Sequence, residues 1–161
     1  MAEGEFALLP NHLEAALQRS PRLARYGSAA SDLDLYVLYA ELGAQQGGPD
    51  SQAHAVRALE AADRLGHPLY QAIALRALGV AHRRDGAWAE ADVCLSKALA
   101  QFQAVPAKWQ AARTLVECTK LEQDQGHIAQ AHMTAQLALR EFVALAAAPD
   151  AARVVEMLRH L

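Results

Sequence analysis

The apolar positions of this chain recur at helical spacing and return in the same places forty residues later. Ala91, Leu95, Ala98 and Phe102 stand at i, i+4, i+7 and i+11, which lines one face of a 3.6-residue helix and cannot line one face of a strand. Ala131, Ala135, Ala138 and Phe142 repeat that stripe at the same offsets. Each run follows a short phrase that opens on glycine, GAWAEA at 86–91 and GHIAQA at 126–131. Upstream, Ala72, Leu75 and Leu78 are answered by Ala112, Leu115 and Cys118. The repeating unit is therefore helix, glycine turn, helix. Glycine lets the chain leave the first helix without a Cβ penalty, and alanine five residues on lets the second pack closely. A weaker copy, GPDSQA at 48–53 followed by RALEAADRLGHP at 57–68, comes first, with the interval from turn glycine to the next Ala-Leu two residues shorter.

This patterning divides the chain into three helix pairs at about 31–66, 69–104 and 107–147. A leader with short helices at 11–18 and 21–26 and a loop at 27–30 precedes them, and Asn11 is the expected cap of the first. In the first pair a helix over 31–46 carries Leu35, Leu38 and Leu42, and its partner over 50–65 stops at Gly-His-Pro. The second pair is 69–85 with 87–104, and the third is 107–125 with 127–147. A capping helix follows at 149–161, with Asp150 as its expected N-cap. There Val154, Val155, Leu158 and Leu161 form an apolar side while Arg153, Glu156, Arg159 and His160 stay in water. The six prolines, at 10, 21, 49, 68, 106 and 149, stand where helices should begin or have just ended. Hairpins of this kind cannot each bury their own apolar face, so stacking them into one continuous core is the physical solution.

Composition sharpens the picture. Of 161 residues, 53% are hydrophobic but only 6% aromatic, so an all-α interior must be built from alanine and leucine at close helix–helix spacing. A formal charge of −3 lacks the basic excess of a nucleic-acid binder. No apolar run approaches the roughly 18 to 20 residues that span a bilayer, and the N-terminus lacks the basic-then-apolar layout of a signal peptide. A cytoplasmic location with no membrane partner is expected. Two cysteines, Cys94 and Cys118, fall on the repeating helices as small core residues rather than in a zinc or disulfide pattern.

The run LGVAHRRDGAWAEADVCLSKAL at 78–99 resembles a tetratricopeptide repeat (TPR). Leu78-Gly79 is like that family's Leu-Gly pair, Ala91 and Ala98 are like its two helix-B alanines, Leu95 stands at a large apolar position, and Pro106 closes the unit. Departures are Leu75 for tryptophan, His82 and Glu122 for tyrosine, and Thr119 for glycine. A repeat of 38 to 40 residues exceeds the usual 34 and is similar to long variants in bacterial signalling and regulatory proteins and in kinesin light chains. The resemblance covers about 31–147. It implies a short right-handed superhelical array of stacked antiparallel helix hairpins that acts as a protein-binding scaffold, with the first helix of each pair lining a concave groove.

Residues for that groove follow from the register. If Ala72, Leu75, Leu78 and His82 face the core, Ile73, Arg76, Val80 and Arg83 occupy another face, and forty residues on the matching positions are Arg113, Val116, Lys120 and Gln123. Leu35, Leu38, Leu42 and Gln45 are the expected contribution of the first pair. The result is an apolar floor leading into a basic region, suited to an acidic peptide or helix, since arginine grips a carboxylate through two parallel hydrogen bonds. The asparagines of the carboxylate clamp in chaperone-binding TPR domains are missing at the matching positions.

Other chemistry finds little footing. No histidine pair has helical ligand spacing, His127 and His132 being five apart, and His82 reads as a packed residue. GAQQGGP at 43–49 lacks the Lys-Ser/Thr of a phosphate loop, and no nucleophile–base arrangement emerges. Neither an enzyme nor a cofactor is expected. Trp88 is expected to pack between neighbouring helices, whereas Trp109 either lines the groove entrance or seals the junction with the second pair. Two alternative functions stay open. One is a self-associating scaffold, a homo-oligomer using Leu35, Leu38, Leu42, Tyr36 and Tyr39; the other is a regulatory sensor domain of a larger protein.

Overall fold

The computed structural model describes Val37, Ala40, Glu41, Gly43 and residues 50–161. The leader, the helices expected at 11–18 and 21–26, and most of the helix expected at 31–46 lie outside these residues. The four described residues of that last stretch are helical. Six helices follow: α1 (Ser51–Leu65), α2 (Pro68–Arg84), α3 (Trp88–Ala104), α4 (Lys108–Asp124), α5 (Ile128–Ala144) and α6 (Ala148–Arg159). Among the described residues there is no strand. Each helix packs on the next in chain order, and α2 also touches α4, two helices on. The fold is thus all-α, a stacked array of helix hairpins.

The turns explain the period. They are centred twenty residues apart, at Gly66, Gly86, Pro106, Gly126 and Ala146. Gly86 and Gly126 are left-handed, with φ of 75° and 76°. In both turns the next amide reaches back to close the helix end, Ala87 N–H donating to His82 O at 2.9 Å and His127 N–H to Glu122 O at 2.8 Å, the Schellman arrangement. Proline cannot take a positive φ, so the α3–α4 turn differs: Val105 is extended there, with φ −120° and ψ 159°.

The predicted stripes are the core. Ala91, Leu95, Ala98 and Phe102 are buried, as are Ala131, Ala135, Ala138 and Phe142. Alanine at these positions permits an approach close enough that a Cβ on Gly79 would meet Leu95 Cγ at 2.8 Å and Ala91 O at 3.2 Å. Three expectations need correction. The cleft face of α2 is less open than expected: the helix is sandwiched between α1 and α3 and touched by α4, so every residue from Ala72 to Ala81 is buried. Ile73 consequently belongs to the core. Asp150 does not cap α6, which begins at Ala148 with Ala147 as its N-cap, so Asp150 lies inside the first turn and its carboxylate is left for a tertiary bond. Val155 is exposed, while Val154, Leu158 and Leu161 pack in the cluster that α6 shares with α4 and α5.

Candidate functional site

Arg113, Glu117 and Lys120 lie at i, i+4 and i+7 of α4 and therefore form one stripe. That stripe is a ridge shared by two clefts. The first, of about 170 Å³, lies between α2 and α4 and is also lined by Glu41, Arg76, Ala77, Val80, Arg83 and Arg84. The second, of about 180 Å³, lies between α4 and α6, with Val116, Phe142, Asp150, Arg153, Val154 and Met157. Together they lie along α2 and α4, the first helices of the second and third pairs, and along α6.

Arg76 sits deepest, with 3% of its surface exposed. Its guanidinium donates to Gln110 Oε1 at 2.7 Å, to Gln110 O at 3.2 Å and to Glu41 Oε1, and it lies 5.2 Å from the Phe102 ring centre. Burial pushes the Arg76 pKa down and the Glu41 carboxylate opposes that shift. Glu41 also faces Arg113, 3.6 Å away. Arg113 stacks 4.8 Å over the Trp109 ring. The Trp109 indole N–H in turn donates to Asp150 Oδ2 at 3.0 Å, and Arg153 pairs with the other Asp150 oxygen at 3.3 Å. Farther along, Arg83 pairs with Asp124 at 2.6 Å and Lys120 with Glu117 at 2.7 Å. Arg83 Nε and Glu117 Oε2 are buried with no protein hydrogen-bond partner.

Of the residues expected in a groove, the structure brings Arg76, Val80, Arg83, Arg113 and Lys120 to the first cleft and Arg113, Val116 and Lys120 to the second. Ile73 is absent because it is core, and Leu35, Leu38, Leu42 and Gln45 lie outside the described residues. The basic region is also more mixed than its sequence suggests, because Glu41, Glu117, Asp124 and Asp150 pair with its cations. Five cationic side chains and two carboxylates line the first cleft, and Asp124 pairs with Arg83 from beside it. Sequence reasoning missed Arg153 and Met157. The signal was present, since Arg153 and Met157 stand forty residues beyond Arg113 and Glu117, but the register was not carried into the last helix.

The remaining candidates resolve simply. Trp88, expected to pack between neighbouring helices, is 43% exposed, as is Ile128 at the matching position. Trp109 joins α4 to α6 rather than to the second pair. His82 is half-buried near the end of α2, not packed in the core. Cys94 is buried and Cys118 half-buried, and burial raises the pKa of both thiols, that of Cys118 to about 12. Among the described residues no group of three His, Cys, Asp or Glu side chains could hold a metal ion, and no helix is long and apolar enough to cross a membrane.

Fold and site together define an all-α array of stacked helix hairpins with charged clefts on either side of α4. Compared with protein-family models, curated proteins and solved structures, the chain matches none.

Proposed function

We propose that this chain is a non-catalytic protein-interaction module of the tetratricopeptide type, working in the cytoplasm, that binds an acidic segment of a protein partner in the groove along α2, α4 and α6. The observation that carries this reading is the ridge of Arg113, Glu117 and Lys120 with a cleft on each side, cations at the walls and Val80, Val116 and Met157 between them. Such a surface offers apolar contact for a chain and charge for its acidic side chains. Arg76 is not a reading residue in this scheme. It is committed to Glu41 and Gln110, so its role is to tie α2 to α4 and to Glu41.

Selection from a random dodecapeptide library tests the proposal. The native chain should enrich peptides with a net negative charge, and a folded Arg83→Gln, Lys120→Gln, Arg153→Gln variant should lose them. Enrichment of peptides that the variant retains equally well overturns it.

A further inference from the structure

A third cavity, of about 490 Å³, opens between α3, α4 and α5 and is larger than either charged cleft. It shares no lining residue with them. On α4 it is bounded by Lys108, Ala111 and Leu115, at i, i+3 and i+7, and Arg113 of the cleft ridge stands about 200° round the helix from Ala111. The cavity is therefore on another side of α4. Its origin is visible in the repeat. Between α1 and α2 the Gln71 side-chain amide donates to Asp63 Oδ1 at 2.8 Å. Forty residues on, those positions hold Ala111 and Gln103, and alanine has no group that reaches across, so the seam between α3 and α4 stays open.

The lining suits a small molecule. Leu99, Phe102, Leu115 and Leu137 supply apolar wall, and Gln103, Lys108 and Glu141 are the polar side chains set among them. A few polar groups in apolar walls, around a volume of roughly 300–1,000 Å³, is the usual form of a ligand pocket. Among the described residues no ion pair or side-chain hydrogen bond engages the charge of Lys108 or of Glu141. The two charges are not equivalent. Lys108 is exposed, and its long stem keeps the ammonium in water. Glu141 is half-buried, so its carboxylate has lost part of its water without gaining a partner. We infer that the cavity binds a small amphipathic amine, with its apolar body against Leu99, Phe102, Leu115 and Leu137 and its ammonium donating to the Glu141 carboxylate and the Gln103 side-chain carbonyl.

Methyl-resolved NMR titration of the full chain with phenylbutylamine tests it, beside phenylbutanol and phenylbutanoate, which carry the same apolar body with no charge and with the opposite charge. The amine should move the methyl signals of Leu99, Leu115 and Leu137 and leave those of the exposed Met133 and Val143 in place. It should bind about tenfold tighter than the alcohol, as a hydrogen bond to a charged group allows, and the carboxylate should bind more weakly than either. Glu141→Gln should bring the amine down to the alcohol's affinity. Ala111→Gln, which returns the earlier junction's side chain to this seam, should weaken all three with the helices intact by circular dichroism. No methyl shift with the amine, tighter binding of the carboxylate, equal binding of amine and alcohol, or an amine preference that survives Glu141→Gln overturns the inference. Each of these results leaves the acidic-peptide reading standing, because cavity and clefts have no residue in common.

Discussion

Ala146 turns the chain between α5 and α6 with φ 53°, the one non-glycine residue among those described that takes a positive φ. It occupies the place that Gly86 and Gly126 fill in earlier turns, and its amide still donates to Val143 O at 3.0 Å. Left-handed backbone costs an L-residue roughly 1–2 kcal/mol, and glycine gives back about 0.4–1 kcal/mol through its freer unfolded chain. Ala146→Gly is therefore expected to stabilise the protein by about 0.5–1 kcal/mol in urea unfolding; no gain would mean that the turn is set by its neighbours. At this scale the sequence was informative about backbone and poor about charge. The turn glycines are legible because few residues tolerate their conformation. That Arg76 would be buried was not, since its partners Glu41 and Gln110 are 35 and 34 residues away.

Between elements, the two repeats solve one packing problem in two ways. On α2 and α3 the facing residues are Gly79 and Leu95, in van der Waals contact along the missing Cβ direction. Forty residues on, the same offsets hold Thr119 and Ala135, both fully buried, with the threonine hydroxyl donating to Leu115 O at 3.0 Å within its own helix. A small residue faces a large one in the first hairpin, and a medium residue faces a small one in the second. Gly79→Thr should cost about 1–3 kcal/mol through overpacking and Leu95→Ala about 2–5 kcal/mol through a cavity. The double variant reproduces the second hairpin's solution, so its loss should fall short of the sum by at least about 1 kcal/mol in a thermodynamic cycle. Strict additivity would show that the two positions do not share space. Helix boundaries were legible to within a few residues because glycine, proline and the 3.6-residue stripe all mark them. The cap of α6 was less so, because Pro149 and Asp150 send competing signals.

For the whole molecule, α6 packs on the last hairpin. Val154 is buried against the cluster of Ala135, Ala138 and Phe142, with Leu158 and Leu161 packed beside it. Full burial of one such side chain is worth about 1.5–3 kcal/mol. A chain ending at residue 146 should therefore lose at least about 2 kcal/mol of stability and gain a concentration-dependent mass in sedimentation, since an open stack end exposes apolar surface. An unchanged unfolding midpoint would show that α6 is not a cap.

Local periodicity alone determined that this chain folds into helices, that the helices come in hairpins, and that alanine-rich faces meet. Each of these facts is carried by residues within one or two turns of one another, where spacing is a sufficient guide. The partners of the charges, the all-round burial of α2 and the sharing of Arg113, Glu117 and Lys120 between two clefts were decided only by tertiary structure. Arg83 and Asp124 are 41 residues apart, as are Trp109 and Asp150, and an ion pair or indole bond across such a separation exists only once the stack has brought neighbouring hairpins into register.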